Sequence, residues 1–200
     1  MGRGVICYLH GFTSGPQSTK ARLLQQRLAG IGCADCLDLP QLPPSPAEAM
    51  ELADQLLDRR LAAGQRPTLI GSSLGGFYAA ALAQHRSLAA VLVNPVVLTA
   101  IQPQQFIGRH RMAFSDGEFT FSAAHAEELQ VIDAAAPNTP SPCWLLLERG
   151  DATLDYRHAL RRHGAARRSV FDGGDHSFTR WPAMLDAIIG WCGVVAAPPA

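Results

Sequence analysis

Short apolar runs alternate with longer segments of helical periodicity along most of the chain. Nearly continuous apolar strands that are separated by helices are typical of a parallel sheet buried on both faces. The alternation therefore predicts an α/β fold with an open, mostly parallel, doubly wound sheet and helices on both faces. The predicted strands are Val5 to Leu9, Cys36 to Leu39, Thr68 to Ile70, Ala89 to Val93, Cys143 to Leu147 and Arg168 to Phe171.

The helical segments place apolar residues three and four positions apart, which is the spacing of one helix face. In the first of them, Leu24 and Leu28 share a face, and Ser18 or Thr19 can cap the start. Gly64 is placed to end the second. The predicted helices are Thr19 to Ala29, Ala47 to Ala63, Gly76 to Gln84, Tyr156 to His163 and Trp181 to Cys192.

The segment from Val97 to Pro142 departs from this alternation, because it contains no clear strand. It has a helical pattern from Ala123 to Ala135 and a proline-rich end. A structureless loop of that length is uncommon in a compact domain, so we expect the segment to form helices and a small lid at about 97–142. The alternative is a packed excursion that covers the sheet edge. We predict a single domain over residues 1–193, followed by a flexible tail at 194–200.

The composition argues against several classes of protein. The formal net charge is zero and the seven histidines are scattered, so no nucleic-acid partner is expected. No apolar stretch reaches the roughly 18 residues of a membrane span, and the first residues lack a signal-peptide pattern. We therefore expect a cytoplasmic protein. Cys33 and Cys36 form a lone CxxC, which is more typical of small residues flanking a strand than of a metal or redox site.

The stretch LIGSSLGGF at 69–77 contains the pattern G-x-S-x-G, with Ser73 at its centre. A strand that turns abruptly into a helix forces the central residue into a strained backbone conformation, and the residues two positions away must be small. Gly71 and Gly75 meet that requirement. The turn would expose the Ser73 hydroxyl near the amino end of a helix, whose amides favour negative charge. Ser73 is therefore the candidate nucleophile.

A serine nucleophile needs a base, and His176 is the best-placed histidine. It lies in DGGDHSF at 172–178, a glycine-containing loop directly after the last predicted strand. His10 also ends a strand, and we expect it to hold its loop in shape by hydrogen bonding. The other histidines lie on helices, at helix ends or in the irregular segment.

The carboxylate that orients the histidine should follow the preceding strand. Asp151 occupies that turn, and Asp155 is its nearest competitor, at the start of the next helix. Asp172 and Asp175 lie beside the histidine in sequence, where carboxylates more often cap turns. Asp151 is therefore the predicted acid.

The order Ser73, Asp151, His176 is the order found in α/β-hydrolases. Acyl transfer also requires donors for the oxyanion. The backbone amide of Leu74 is one candidate, because it follows the nucleophile. The amide of Phe12, in the loop after the first strand, is the second.

Together, YLHGFTSGPQSTKA, GSSLGGFYA, LVNPVV, ERGDATLDYR and GGDHSF resemble the small YqiA-type esterases of the α/β-hydrolase superfamily. The resemblance covers nearly the whole chain, and it implies a minimal α/β-hydrolase fold that lacks the first two strands of the superfamily. It also implies that Ser73, Asp151 and His176 form a catalytic triad, and that the substrate is a carboxylic ester. One departure is Ala152, where relatives often carry an acidic residue.

These features predict a serine hydrolase that cleaves a small-molecule acyl ester through an acyl-enzyme, with no cofactor and no metal. One alternative is an acyl-CoA thioesterase with the same triad, in which Arg109 and Arg111 would meet the phosphates, unless they are simply a solvated basic face. The other is a non-catalytic binding protein on the same fold. The sequence also has phenylalanines at 12, 77, 106, 114, 119 and 121. They could line an apolar pocket for the acyl chain, and the alternative is that they belong to the hydrophobic core.

Overall fold

The computed structural model describes residues 4–137 and 141–195, and its centre is a six-stranded sheet. The strands are β1 (Gly4–Leu9), β2 (Leu37–Asp38), β3 (Arg66–Ser72), β4 (Ala89–Val93), β5 (Gly108–Arg111), β6 (Glu118–Phe121), β7 (Cys143–Glu148) and β8 (Arg167–Phe171). The order in the six-stranded sheet is β2-β1-β3-β4-β7-β8, and every pairing in this sheet is parallel. The predicted parallel α/β sheet is therefore confirmed.

Helices cover both faces of the sheet. Their bounds are α1 (Thr19–Gly30), α2 (Pro46–Ala62), α3 (Leu74–Arg86), α4 (Ala123–Ala135), α5 (Tyr156–Arg162) and α6 (Trp181–Trp191). Helices α1 and α6 pack on one face, while α2, α3, α4 and α5 contribute to the core on the other. The predicted helices are confirmed, with ends that differ by at most two residues.

The apolar runs form strands with two buried faces because their side chains alternate between the two layers of helices. In β1, Cys7 and Leu9 join the core beneath α2 and α3, whereas Ile6 and Tyr8 join the core beneath α1 and α6. Every residue of this strand is buried. Cys33 and Cys36 are also buried in the second of these cores, as predicted for small residues beside a strand.

The prediction that Val97 to Pro142 lacks a strand is wrong. Strands β5 and β6 form a two-stranded antiparallel hairpin apart from the main sheet. Their sequences, GRHR and EFTF, carry charged side chains and are only partly buried, so they lack the apolar run that marks the central strands. Helix α4 matches the predicted helix, and a capping box between Ser122 and His125 starts it.

Parts of the chain on which predictions were made lie outside the described residues. They are 138–140, at the proline-rich end of the segment, and 196–200, in the predicted tail. Val194, at the beginning of that tail, is buried against α6. Among the described residues, no helix is both long and apolar enough to cross a membrane.

Candidate active site

Ser73 lies at the corner between β3 and α3. Its backbone has φ 56° and ψ −120°, a left-handed conformation that is strained for a residue with a side chain. Bonds to the next strand and its loop hold this conformation: the Ser73 amide donates to the Val93 carbonyl at 3.0 Å, and the Ser73 carbonyl accepts from the Val96 amide at 3.0 Å. The serine side chain is therefore presented by a fixed backbone.

The glycines around Ser73 are required by close packing. A side chain at Gly71 would collide with the backbone of Gly75, and one at Gly75 would collide with the carbonyl of Leu9. The helix that starts at Leu74 can approach the sheet only because both positions lack a Cβ atom. This agrees with the steric interpretation of the G-x-S-x-G pattern.

The three side chains predicted as a triad meet at the carboxyl ends of β3, β7 and β8. The distance from Ser73 Oγ to His176 Nε2 is 3.0 Å, and the distance from His176 Nδ1 to Asp151 Oδ2 is 2.8 Å. The other Asp151 oxygen accepts the amides of Thr153 at 2.8 Å and Leu154 at 2.9 Å. With Nδ1–H donating to the carboxylate, Nε2 is free to accept the serine proton.

None of the competing carboxylates is hydrogen-bonded to the imidazole. Asp155 caps α5 and pairs with Arg157. Asp172 pairs with Arg149 at 2.7 Å. Asp175 accepts from the amide and hydroxyl of the residue two positions later. The structure therefore brings only Asp151, of the four candidates, into contact with the histidine.

Phe12 and Leu74, whose amides are the predicted oxyanion donors, line the same cavity as Ser73. Leu74 is the first residue of α3, so its amide has no acceptor within the helix. The loop that carries Phe12 approaches closely, because a Cβ atom on Gly11 would lie 3.1 Å from the Ser73 Cβ. In the described part of the chain neither amide donates a hydrogen bond.

His10 holds the loop that follows β1. Its Nδ1 lies 2.9 Å from the Gly11 carbonyl, and its Nε2 lies 3.0 Å from the Leu42 amide. A carbonyl can only accept and an amide can only donate, so the ring is neutral with its proton on Nδ1. Burial lowers the pKa of His10, although the bond to Gly11 acts in the opposite direction. This geometry fits the predicted loop-holding role.

Sequence reasoning missed Glu148, the last residue of β7, which is fully buried. Its carboxylate accepts the amides of Asp175, Thr179 and Arg180 at 2.8–3.0 Å and the Thr179 hydroxyl at 2.8 Å. Burial acts to raise the pKa of Glu148, but the four hydrogen bonds hold it below its ordinary value. A side chain on Gly174, at φ 74°, would collide with this carboxylate. Glu148 thus anchors both ends of the histidine loop.

Asn94, which follows β4, is a second missed residue. Its side-chain amide donates to the carbonyls of Asp175 at 3.1 Å and His176 at 3.4 Å, and its Oδ1 accepts the amide of Glu148 at 3.1 Å. Asn94 is buried and has a left-handed φ of 39°. The sequence signal was an asparagine before a proline at a strand end, the same kind of position as the predicted acid and base.

Two cavities meet at Ser73 and His176. The first, which we call the apolar cavity, has a volume of about 190 Å³ and is lined largely by apolar side chains: Phe12, Leu74, Val96, Ile101, Phe106, Phe121, Leu129 and Leu154. The second, which we call the Lys20 cavity, has a volume of about 440 Å³, and its wall includes Ser18, Lys20, Phe114, Phe178 and Trp181.

Only some of the phenylalanines that were considered for an acyl pocket line the apolar cavity. Phe12, Phe106 and Phe121 line the apolar cavity, whereas Phe77 belongs to the core. Phe119 stacks edge to face on Phe12.

The two arginines considered for coenzyme A are not in either cavity wall. Arg109 and Arg111 are 79% and 89% exposed, and both pair with Glu118 across the hairpin. This arrangement matches the alternative of a solvated basic face.

Comparison with known proteins gives the family. Residues 5–192 match the family described as Uncharacterised protein family (UPF0227). Because the match spans nearly all of the chain, the protein belongs to this family, and the resemblance to YqiA-type proteins is confirmed.

Solved structures of α/β hydrolases share the fold. Mouse α/β hydrolase domain-containing protein 10 aligns with a TM-score of 0.70 at 15% identity, over 94% of this chain and 90% of that chain. The monoacylglycerol lipase of Paleococcus ferrophilus aligns with a TM-score of 0.69 at 16% identity, over 96% of each chain. Est1E of Butyrivibrio proteoclasticus aligns with a TM-score of 0.66 at 12% identity, over 95% of this chain and 87% of that chain. At these identities the likeness establishes the α/β-hydrolase fold.

Proposed function

We propose that this member of the UPF0227 family is a serine hydrolase that cleaves carboxylic esters through an acyl-enzyme on Ser73. One observation carries the proposal: hydrogen bonds run without a break from the Ser73 hydroxyl through His176 to Asp151, at 3.0 and 2.8 Å. A serine whose hydroxyl contacts an oriented imidazole is the arrangement needed for nucleophilic catalysis. The names of the structural relatives, which include a lipase, are consistent with it.

In the first step, Ser73 Oγ attacks the ester carbonyl while His176 Nε2 takes the hydroxyl proton. A bond forms between Oγ and the carbonyl carbon, and the carbonyl electron pair moves to the oxygen. The amides of Phe12 and Leu74 donate to that oxyanion, and Asp151 stabilises the imidazolium. The intermediate then expels the alcohol, which takes its proton from Nε2.

In the second step, water repeats the sequence on the acyl-enzyme. His176 Nε2 takes a proton from the water as its oxygen attacks the acyl carbon, and the same two amides stabilise the second oxyanion. The bond to Ser73 Oγ breaks, the serine regains its proton from the imidazolium, and the carboxylic acid leaves. All of the acid–base chemistry is supplied by His176.

The apolar cavity supports an ester with an apolar acyl chain. Its lining has few polar groups besides Ser73, Thr153 and His176. No separate observation favours an acyl-CoA substrate, since Arg109 and Arg111 pair with Glu118 on the exposed hairpin. Rates on an aryl butyrate and on a long-chain acyl-CoA separate the two substrate classes.

The test is hydrolysis of 4-nitrophenyl butyrate by the wild type, Ser73→Ala and a matched control, Ser115→Ala, which removes an exposed hydroxyl from the hairpin turn. We expect the wild type and the control to hydrolyse the ester, while Ser73→Ala is reduced to the background rate. A wild type that is folded but inactive on aryl and alkyl esters of several chain lengths would favour the non-catalytic binding protein.

A further inference from the structure

We propose that the Lys20 cavity binds an anionic group of the substrate, carried by the part of the molecule that lies outside the apolar cavity. This inference rests on the proposed function and narrows its substrate class to esters with a carboxylate or phosphate substituent. The cavity reaches the reacting atoms, because its wall includes Ser73 and His176 as well as Lys20. Its volume of about 440 Å³ is within the usual range for small-molecule sites.

Lys20 provides the charge. It is the only lysine in the sequence, and no arginine is found among the described residues that line this cavity. The rest of the wall combines hydroxyl groups with apolar rings, including Phe114, Phe178 and Trp181. A ligand with an apolar body and one negative group matches this composition.

The Lys20 ammonium is not balanced by a contacting carboxylate. Its Nζ donates to the carbonyl of Ser177 at 2.7 Å, and no described carboxylate forms an ion pair with it. Burial lowers the pKa of Lys20, although the more distant Asp175, Glu148 and Asp151 act to raise it.

Those three carboxylates already accept hydrogen bonds from other groups: Asp175 from Ser177, Glu148 from the histidine loop, and Asp151 from His176 and two amides. A partly buried cation without a contacting counter-ion is costly. An anionic ligand would repay that cost, since the ammonium has two further N–H groups to donate.

The amino end of α1 supports the same assignment independently. Ser18 is the N-cap residue, yet its side chain makes no capping bond. Its hydroxyl is buried, and the phenol of Tyr8, which also lines the cavity, is a polar group that interacts with it. Ser18 and Thr19 line the cavity together with Lys20. The unpaired amides of a helix amino end favour an anion, so the helix and the ammonium act in the same direction.

A purely structural role makes a different prediction. If Lys20 only holds the Ser177 carbonyl, and through it His176, then its removal should slow all esters by the same factor. If Lys20 binds an anion, its removal should slow charged esters more than neutral ones. The ratio of kcat/KM for a charged ester to that for its neutral twin distinguishes the two roles, because any shared loss cancels.

The experiment uses two pairs of esters whose members differ only in a carboxylate or a carboxamide. One pair has the group on the ring of a phenyl butyrate, in the alcohol half; the other has it at the end of the acyl chain of a 4-nitrophenyl glutarate. Ratios are measured for the wild type, Lys20→Met and Lys20→Arg. The matched control is Arg22→Met, which removes an exposed positive charge from the same helix outside the cavity.

We expect the wild type to prefer the carboxylate twin in at least one pair, and the responding pair identifies which half of the ester carries the charge. Lys20→Met should lower that preference by about 10- to 100-fold, as for the loss of a hydrogen bond to a charged group. Lys20→Arg should retain part of it, and Arg22→Met should retain it fully.

In both pairs, a wild-type kcat/KM that is no higher for the carboxylate ester than for its carboxamide twin would overturn the anion site. So would a charged-to-neutral ratio that is unchanged in Lys20→Met. In either case the esterase proposal stands. Failure of the wild type to hydrolyse any of the four esters would instead remove the proposed function, and this inference with it. The wild-type ratios decide the question even if a Lys20 variant does not fold.

Discussion

Side chains are held in different ways in two regions of the molecule. The first region is the carboxyl ends of β3, β7 and β8, and the second is the segment between β4 and β7. At the strand ends, buried polar groups are fixed by hydrogen bonds to backbone: Asp151 accepts two amides and Glu148 accepts three. In the segment, aromatic rings from the hairpin and from the turn before it pack around Phe12, and Phe106 in that turn is 40% exposed. The difference suggests that the strand ends carry the chemistry and the segment adjusts which acyl groups enter.

Phe12 joins the two regions. Its amide is a proposed oxyanion donor, while its ring contacts the segment edge to face, with centroid distances of 4.8 to 5.7 Å to Phe106, His110, Phe119 and Phe121. A movement of the hairpin would therefore shift the Phe12 ring and, with it, the loop that carries the Phe12 amide.

The largest effect is expected at the strand ends, from Ser73→Ala. Removal of the hydroxyl abolishes acyl-enzyme formation, so turnover should fall by about 10⁴- to 10⁶-fold. The free energy of unfolding should change little, because alanine leaves the surrounding packing in place and removes only one part-buried hydrogen bond. Single-turnover kinetics and denaturant unfolding measure the two quantities. A loss of less than about 10-fold in turnover would exclude Ser73 as the nucleophile.

Asp151→Asn should reduce kcat by about 10³- to 10⁴-fold, because an amide cannot hold the imidazole in the productive tautomer. Its Oδ1 can still accept the amides of Thr153 and Leu154, so we expect a smaller change in stability than in activity. The same substitution at Asp155, which caps α5, serves as the control and should leave kcat within a few-fold of the wild type. Equal losses for the two variants would contradict the assignment of the acid.

Glu148→Gln tests whether the strand ends are held by this buried carboxylate. One oxygen that accepts from buried amides becomes a donor, so the free energy of unfolding should fall by about 2 to 4 kcal/mol. Glu127→Gln, on the exposed face of α4, is the matched control and should change it by less than about 0.5 kcal/mol. Denaturant unfolding measures both, and similar values for the two variants would show that the Glu148 contacts contribute little.

In the segment, Phe106→Ala should alter substrate preference more than it alters chemistry. The ring lines the apolar cavity and is partly exposed, so its loss should lower kcat/KM for octanoyl esters by about 3- to 10-fold. Acetyl esters should be affected by less than about 2-fold. A series of esters of increasing chain length provides the measurement. A uniform loss across the series would mean that the segment supports the catalytic groups directly.

The smallest effect concerns stability away from both regions. Burial lowers the pKa of His163, at the end of α5, to about 4, and the neighbouring Arg162 acts in the same direction. Below about pH 6.5, the ordinary pKa of histidine, the imidazole is protonated in the unfolded chain but stays neutral in the native state. Its contribution to stability should be full above pH 6.5 and lost as the pH falls towards 4. His163→Asn should lose less stability than the wild type between pH 7 and pH 5.

The sequence predicts the parts of the site that depend on local geometry. Ser73 could be identified because the turn requires glycine at 71 and 75, and Asp151 and His176 because both follow apolar strands whose carboxyl ends share one edge of a sheet. The parallel direction of the five strand pairings in the main sheet likewise follows from apolar strands that are buried on both faces.

Other features depend on contacts between distant residues and leave little local signal. Glu148 accepts from amides that are 27 to 32 residues further along the chain, and backbone donors have no side-chain signature. The hairpin was missed because β5 and β6 lie at the surface, where packing against Phe12 stabilises them in place of an apolar run.

The role of Ser73 as nucleophile is tested most directly by covalent labelling with a fluorophosphonate, which reacts with serines activated by a neighbouring base. We predict one adduct on the folded wild type, mapped by mass spectrometry to Ser73, and a labelling rate at least about 100-fold lower in His176→Ala. Absence of an adduct on folded protein, or labelling that is equally fast without the imidazole, would contradict it.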